Sequence, residues 1–214
     1  MITGKNVVLR LVEEKDLDAI VALSNDANEI GEFWSMRMMS TVDIRKKYAE
    51  GWFLNETQGS FLVTDRKDGR LLGMLVYFKG SHYGDGYEIG GRIFRRADRG
   101  GGSMTEAVRI FCAYLFEKEN IQRLQATAAV DNTASRRTLE KAGFQHEGVL
   151  RRYYFVRGRY HDLDIFSMLR EEAPDLTKLL CPVSIDAPAS SVEAATKAKT
   201  RPGTKRKPKT TRRA

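Results

Sequence analysis

The sequence predicts an α/β fold in which a mixed β-sheet is flanked by helices. Segments rich in β-branched and aromatic residues alternate along the chain with segments whose apolar residues recur at helical spacing. In the second half, a strand, a long helix and another strand follow one another, which is the order of a β-α-β crossover. With 214 residues, 42% of them hydrophobic, the chain is long enough to bury a core without disulfide support.

The first half of the chain begins with a β-branched strand that follows Gly4. Two segments with helical apolar spacing come next. A turn containing the pair Asp68-Gly69 then separates two apolar strands, as in a tight hairpin. The predicted elements are, in order, a strand over 6–12, helices over 16–25 and 41–55, and strands over 60–64 and 71–78.

The second half follows a glycine-containing loop over 79–86 that carries His82 and Tyr83. Its last two strands flank the turn at Gly158 and read as a closing hairpin. The predicted elements are a strand over 87–94, a helix over 103–120, a strand over 123–130, a helix over 133–142, and strands over 147–156 and 160–169. The sheet therefore has about seven strands.

The charge of the chain is concentrated at one end. The net charge is +8, but residues 197–214 hold nine of the 36 Lys and Arg residues and no acid, so the rest of the chain is nearly neutral. Residues 182–214 are rich in Pro, Ala, Ser, Thr, Lys and Arg and contain few large apolar residues. Such a segment buries too little surface to offset its ordering entropy. We therefore predict a globular domain over 1–181 and a disordered basic tail over 182–214.

Several protein classes are excluded by composition. No run approaches the roughly 18 apolar residues that a membrane helix needs, and residues 1–17 lack the apolar stretch of a secretory signal. The two cysteines, Cys112 and Cys181, lie far apart without a CxxC pattern, so neither a disulfide scaffold nor a metal site is expected. Cys112 lies among apolar residues of a predicted helix and is expected in the core. These features favour a cytoplasmic protein.

The most informative segment, residues 93–106, reads IFRRADRGGGSMTE and joins a predicted strand to a predicted helix. Its glycines let the backbone adopt positive φ and approach a ligand closely. Ser103 followed by Glu106 predicts a capping box at the helix start. A helix N-terminus leaves backbone N–H groups free and carries partial positive charge. The glycines are Gly100, Gly101 and Gly102.

Three arginines, Arg95, Arg96 and Arg99, add positive charge to the same turn. Together with the helix start they predict a site for phosphate or pyrophosphate; the alternative is a flexible turn with a solvated arginine cluster. The dinucleotide pattern GxGxxG fails because Thr105 stands at its third glycine, and the Gly4-Lys5 pair lacks the upstream glycine of a P-loop. Binding of NAD or ATP through those motifs is therefore excluded.

Two longer segments resemble the GNAT superfamily of acetyl-coenzyme A dependent N-acetyltransferases, most closely the ribosomal-protein-alanine N-acetyltransferases. They are YEIGGRIFRRADRGGGSMTEAV and VDNTASRRTLEKAGFQHEGVLRRYYFVRGRYHDLDIFSML. With the N-terminal strand, the resemblance covers nearly all of 1–172. It implies a splayed mixed sheet of about seven strands, with acetyl-CoA wedged between the parallel strands predicted over 87–94 and 123–130. It implies no metal.

The resemblance also implies which residues contact the cofactor. The family's pyrophosphate turn, Arg/Gln-x-x-Gly-x-Gly/Ala, falls on residues 99–104; its glycine position is matched, and its last position holds Met104 instead of glycine or alanine. Asn132 matches the family asparagine near the pantetheine, and the alternative for this residue is a helix N-cap. The implied cofactor-binding residues are Ile93, Phe94, Arg95, Arg99, Gly100, Gly101, Gly102, Ser103, Met104 and Asn132.

Acetylation of an amine needs a neutral amine, a donor for the developing oxyanion and a proton for the leaving thiolate. We choose Glu88 as the base, because a carboxyl in a cleft gains a raised pKa; the alternative is a strand-surface carboxylate. The resemblance implies Ser135 as the acid, because the position of the acid tyrosine found in many relatives holds Leu139. It also implies a backbone N–H of Ile93 or Phe94 as the oxyanion donor.

Three functions remain open at this point. The first is acetylation of a protein N-terminal amine, and the second is acetylation of a small amine such as a polyamine or an aminoglycoside, for which the acid-rich segment 13–32 is a candidate. The third is a nucleic-acid-binding adaptor whose body binds CoA without catalysis. The tail over 197–214 could contact RNA or a ribosome through phosphates, or act only as a solubilising end. No membrane contact is expected, and the chain is predicted to be a monomer or a homodimer.

Overall fold

The computed structural model describes residues 1–80 and 86–182. The predicted loop residues His82 and Tyr83 and the predicted partner segment 197–214 lie outside the described residues. The division into a domain over 1–181 and a tail over 182–214 therefore stays a prediction. Within the described part of the chain, no helix is long and apolar enough to cross a membrane.

The fold is a mixed α/β arrangement around one open sheet of eight strands in the order β1-β2-β3-β4-β5-β6-β8-β7. The predicted strands are all present, and a two-residue strand at the N-terminus adds the eighth. Among the described strands, only β5 and β6 run parallel to each other, and α3 connects them. The strands are β1 Ile2–Thr3, β2 Val7–Leu11, β3 Gln58–Asp65, β4 Leu71–Lys79, β5 Tyr87–Ile93, β6 Arg123–Ala129, β7 Gln145–Val156 and β8 Arg159–Leu169.

Helices cover both faces of the sheet, and alternation along the strands decides which residues meet them. On one face, Phe61 and Val63 of β3 pack in the main core with α3. On the other face, Leu62 packs with Ile20 and Ile44 from α1 and α2. The helices are α1 Leu17–Asn25, α2 Thr41–Ala49, α3 Ser103–Lys118, α4 Thr133–Ala142 and α5 Leu176–Leu179.

Two predicted helices are shorter than expected. The helix expected over 41–55 ends at Ala49, because Gly51 adopts a φ of +75° that stops the helical backbone. The helix expected over 103–120 ends at Lys118, where Glu119 takes an extended conformation. Helix-end positions are the least determined part of a pattern-based prediction, since helices fray at their termini.

The predicted capping box of α3 is wrong. The N-cap of α3 is Gly102, in the left-handed region, and no side chain caps the helix there. Glu106 instead accepts hydrogen bonds from Asn6, from its backbone N at 2.8 Å and from its Nδ2 at 2.8 Å. The carboxylate therefore joins the first turn of α3 to the start of β2, a long-range contact that no local sequence pattern signals.

The parallel strands β5 and β6 separate partway along their length. They pair at Tyr87 with Leu124, at Glu88 with Gln125 and at Ile89 with Ala126. Beyond these pairs β5 continues to Ile93 beside β4 alone. The sheet is therefore splayed between β5 and β6, and the opening lies directly before the start of α3.

Candidate active site

A groove and a cavity meet at the opening between β5 and β6. The groove, about 790 Å³, runs over the N-terminal ends of α3 and α4. The cavity, about 250 Å³, lies between the strands and contains Glu88. The two share part of their lining, so they form one continuous site. The shared residues are Phe33, Trp34, Gly91, Met104, Asn132, Ser135 and Thr138.

Backbone donors of β5 face this opening. Phe94 N donates to Leu72 O at 2.9 Å, towards β4. N–H groups in an antiparallel strand alternate in direction, so those of Ile93 and Gly91 point away from β4, towards the gap where pairing with β6 has ended. The expectation of Ile93 or Phe94 as the oxyanion donor is therefore wrong for Phe94. The N–H of Ile93 points in a suitable direction for this role, and so does the N–H of Gly91.

The glycine turn lies at the mouth of the groove. Gly100 and Gly102 have φ of +83° and +84°, the left-handed region that favours glycine. A Cβ placed on either of these residues or on Gly101 would meet no atom within 4 Å, so this backbone is open to a ligand. Gly100, Gly102, Ser103 and Met104 line the groove, and Gly101 is exposed beside them.

The predicted arginines have different roles. Arg95 is not among the residues that line the groove, and its Nη1 donates to Leu71 O at 3.3 Å; its assignment to the cofactor site stays a prediction. Arg99 lines the groove, and its Nη2 donates to the backbone oxygens of Glu29 and Phe94. Arg99 thereby ties the glycine turn to the segment after α1. Its guanidinium is partly committed before any ligand binds.

Two basic residues of the groove belong to no sequence motif and were not predicted. Arg137 and Lys141 lie one turn apart on α4, are exposed, and line the groove with Arg96. Their spacing places them on the same side of the helix. A lysine and an arginine four residues apart are common on solvated helices, so the sequence did not distinguish them.

Glu88 lies in the cavity and is half-buried. Burial raises the pKa of its carboxyl, and the hydrogen bond that Thr127 Oγ1 donates to its Oε1 at 3.3 Å lowers the pKa by a smaller amount. Alternation along β5 places Glu88 on the face opposite to α3, because Tyr87 and Ile89 belong to the core under α3. The carboxyl therefore opens towards α1 and α2.

Asn132 and Ser135 form the start of α4. The Oδ1 of Asn132 accepts a hydrogen bond from Ser135 N at 3.1 Å, so Asn132 is the N-cap. Asn132 lines both the groove and the cavity. Ser135 also lines both, and within the described chain its Oγ has no hydrogen bond. Both predicted residues therefore lie at the junction of groove and cavity.

Aromatic side chains form the wall of the cavity on the α1 and α2 face. Phe33 and Trp34 lie in the connection between α1 and α2. They line the cavity with Phe78 and Tyr154. Tyr154 comes from β7, and its cross-strand partner His161 contacts Phe33 edge-on at 5.7 Å. The wall is assembled from three distant segments, so no local motif predicts it.

Arg92 is a further groove residue that sequence reasoning missed. Its guanidinium lies 5.0 Å from the Trp34 ring and 4.9 Å from the Phe94 ring, and its Nη2 donates to Ser24 Oγ at 2.6 Å. Burial lowers the pKa of Arg92, and the charge of Arg99 lowers it further. Arg92 holds Trp34 in place and adds positive charge to the groove.

Cys112 is buried in the core, and burial raises the pKa of its thiol. It lies outside both the groove and the cavity. Among the residues that the structure describes, no group of three or more His, Cys, Asp or Glu side chains could hold a metal ion.

Comparison with known proteins decides the family. The family described as "Acetyltransferase (GNAT) domain" matches residues 6–145. The chain belongs to the GNAT acetyltransferase family. The relatives below carry the names of N-acetyltransferases, so this GNAT protein is an acetyl-transferring enzyme. The interpretation as a non-catalytic adaptor is set aside on this ground.

Two relatives from Bacillus subtilis (strain 168) match most of the chain. "Putative ribosomal N-acetyltransferase YdaF" is 30% identical over 180 residues, which cover 79% of this chain and 94% of that protein. "Probable N-acetyltransferase YjcK" is 28% identical over 179 residues, which cover 80% and 98%. The match spans almost the whole length of both relatives.

Solved structures share the fold. A spermidine N-acetyltransferase from Vibrio cholerae, in complex with CoA and spermine, superposes with a TM-score of 0.69 at 23% identity. The match covers 78% of this chain and 97% of that one. A GNAT family acetyltransferase from Bacillus anthracis superposes with a TM-score of 0.67 at 24% identity, covering 80% and 99%. The splayed sheet of this GNAT protein is therefore shared with solved acetyltransferases.

Proposed function

We propose that this enzyme transfers an acetyl group from acetyl-CoA to a primary amine, most specifically the N-terminal amine of a protein. The observation that carries the proposal is the composition of the cavity. It is aromatic and aliphatic on the α1 and α2 face, and Glu88 is its one carboxylate among the described lining residues. Such a cavity suits a single amine attached to a largely uncharged chain.

The groove fits the phosphates and pantetheine of CoA. Free backbone N–H groups at the start of α3 and the open Gly100–Gly102 turn are the donors that a pyrophosphate needs. Arg96, Arg137 and Lys141 supply charge along the groove. The gap between β5 and β6 would admit an extended pantetheine. When bound, the co-substrate supplies the activated acetyl group as a thioester.

The residues of the cavity have separate tasks in the proposed mechanism. Glu88 removes a proton from the acceptor amine, directly or through one water. The N–H groups of Ile93 and Gly91 donate to the carbonyl oxygen on which negative charge develops. Ser135 Oγ donates a hydrogen bond to the departing sulfur. Close placement of amine and thioester lowers the barrier further.

The contacts already made by the carboxylates of the acidic segment 13–32 favour a protein N-terminus over a polyamine as the acceptor. A polycation needs several free carboxylates, and most of those near the N-terminus are occupied. Asp16 pairs with Arg10, Asp18 and Glu14 pair with Arg45, and Glu13 pairs with Lys15. Glu29 accepts a hydrogen bond from Arg96 N, and Asp26 accepts one from Asn28 N.

The second candidate acceptor is a small amine. It is favoured by the similarity to a protein named spermidine N(1)-acetyltransferase from Vibrio cholerae, 24% identical over 171 residues. The 30% identical relative is instead named as a ribosomal N-acetyltransferase. The cavity lining decides our preference, because among the described residues it offers a polycation a single carboxylate, that of Glu88.

The test is acetyl transfer by the full chain to matched acceptors. We expect turnover of a short peptide with a free N-terminus, and none of the same peptide with a blocked N-terminus and an internal lysine. Spermidine should have a lower kcat/KM by tenfold or more. Preference for spermidine would overturn the acceptor assignment while leaving acetyl transfer intact.

The cofactor part of the proposal is tested separately by titration with CoA. Arg137→Gln with Lys141→Gln removes two charges from the groove and should weaken CoA binding by about tenfold at low salt. The matched control is Lys5→Gln with Lys67→Gln, two exposed residues outside the groove. Equal affinity in both double variants would remove α4 from the phosphate site.

A further inference from the structure

Asp164 is a carboxylate at a core position of β8, and its side chain is only 3% exposed. Phe166, two residues further along the strand, is fully buried in the main core, and alternation places Asp164 on the same face of the sheet. Burying a carboxylate costs free energy unless other groups compensate its charge. An apolar residue of similar size is often as stable at such a position, so stability alone does not account for Asp164.

Two side chains from different elements contact this carboxylate. Arg136 Nε of α4 lies 2.8 Å from its Oδ2, and His146 Nε2 of β7 lies 2.8 Å from its Oδ1. Among the described residues, neither Arg136 Nε nor Asp164 Oδ2 has a hydrogen-bond partner besides this ion pair. The two groups therefore depend on each other, because removal of one leaves the buried atom of the other uncompensated.

Arg136 transmits the contact with Asp164 to the start of α4. Its backbone N donates to Asn132 O at 3.1 Å, and its Nη1 donates to Val130 O at 3.4 Å. One arginine thus joins β8 both to the residue that follows β6 and to the first turn of the helix. Asn132 and Ser135, which line the groove and the cavity, lie within this fixed segment.

We propose that Asp164 is a positioning residue for acetyl transfer, which fixes the direction of Ser135 Oγ through Arg136. The inference rests on the proposed function, in which that hydroxyl donates a hydrogen bond to the departing sulfur. In the described chain, neither Asp164 nor Arg136 lines the groove or the cavity, so both act without touching a reactant. Ser135 directly precedes Arg136, so a small shift of the first turn of α4 moves its hydroxyl, and the rate depends steeply on such alignment.

The first test is Asp164→Asn, which keeps the size of the side chain and removes its charge. We expect kcat for the peptide acceptor to fall by about tenfold or more, with little change in the KM for the peptide, because no contact with the peptide is lost. The matched control is Glu147→Gln, which removes a carboxylate of β7 whose partners, Arg123 and Ser167, lie on β6 and β8. This control should keep its kcat; an equal loss in both variants would overturn the proposal.

A double variant separates positioning from a general loss of structure. Ser135→Ala should lower kcat by about tenfold or more. In that background no hydroxyl remains to be positioned, so adding Asp164→Asn should cause little further loss. Losses that multiply would overturn the positioning role and leave the proposed function intact. Full activity of Ser135→Ala alone would instead refute the role of Ser135 in the proposed function, and the positioning role with it.

An apolar pair at the same two positions controls for stability. Asp164→Leu with Arg136→Met replaces the ion pair by side chains of similar size, a change that often preserves or raises stability. The Tm of this variant should be at least that of Asp164→Asn, whereas its kcat should stay as low, because the contact that joins Arg136 to β8 and Val130 O is lost. Recovery of full kcat together with stability would show that the pair is only structural and would refute the proposal.

Discussion

At the scale of single residues, the proposed mechanism depends on the environment of Glu88. Two opposing influences act on its carboxyl: burial raises the pKa, and the hydrogen bond from Thr127 lowers it. A base is active when deprotonated, so the rate falls as the pH falls through its pKa. The raised pKa therefore moves this fall to a higher pH than an ordinary glutamate would give.

We predict that Glu88→Gln lowers kcat/KM for the peptide acceptor by about 10²–10⁴-fold. It should also remove the acidic limb of the pH profile, because glutamine does not titrate. CoA affinity should stay unchanged, since Glu88 lines the cavity and not the groove. Undiminished turnover in this variant would exclude Glu88 as the base.

Thr127→Val tests the role of Glu88 without changing Glu88 itself. It removes the hydrogen bond to Glu88 and leaves burial in place, so the pKa of Glu88 should rise further. The acidic limb should then shift to higher pH, while the rate on its plateau changes little. A pH profile identical to that of the unaltered enzyme would show that Glu88 does not control the limb.

The sequence predicted well which residues surround the site, but it predicted their individual contacts less well. Asn132 and Ser135 lie at the junction of groove and cavity, and Glu88 lies in the cavity. The N–H of Phe94 does not serve as the expected oxyanion donor, because it donates a hydrogen bond to Leu72 O of β4. Sequence patterns carry no information on the direction of a single N–H or guanidinium group.

At the scale of elements, β5 determines the shape of the site. Gly90 and Gly91 are adjacent, but the space available for a side chain differs between them. A Cβ on Gly90 would meet Val76 at an ordinary 3.6 Å, and a Cβ on Gly91 would lie 2.6 Å from Leu75 and 2.7 Å from the Met74 oxygen. Gly91 therefore allows β4 to approach, whereas Gly90 keeps space open beside Glu88.

We predict opposite effects for the two alanine substitutions. Gly90→Ala should keep or slightly raise stability, by up to about 1 kcal/mol, and lower acetyl transfer by about tenfold or more because its methyl group enters the cavity. Gly91→Ala should lower the free energy of unfolding by about 1–3 kcal/mol through overpacking. Thermal unfolding and initial rates of both variants distinguish these outcomes; full activity in Gly90→Ala would contradict the placement of the acceptor beside this residue.

The longer elements were predictable because their apolar pattern repeats over many residues. Seven strands and the four longer helices follow from alternation and helical spacing. The two-residue strand β1 and the four-residue helix α5 were missed, since such short segments carry no periodic signal. Glu106 misled the prediction of the α3 cap, because a capping pattern in the sequence competes with a distant partner, Asn6, that only the fold brings near.

At the scale of the whole molecule, the two halves of the sheet are joined by a short parallel contact between β5 and β6. Any ligand that fills the gap should connect the halves and stabilise the native state. At a concentration 100 times its Kd, a ligand specific for the native state adds about 2.7 kcal/mol. For a domain of this size, that raises Tm by about 5–11 °C.

We therefore expect CoA to raise the Tm of the enzyme by several degrees. Hydrogen exchange should slow most at the amides of Gly91 and Ile93, which face the gap, and little in β3. The Arg137→Gln and Lys141→Gln double variant should need more CoA to reach the same Tm. Protection spread evenly over all strands would show that the ligand does not occupy the gap.

The continuity of groove and cavity also has a kinetic consequence. The groove opens beside α3 and α4, whereas Glu88 and the aromatic wall open towards α1 and α2. The site is thus a passage with two mouths, and neither reactant has to leave before the other arrives. We therefore expect both reactants to be bound together, and double-reciprocal plots should intersect instead of running parallel.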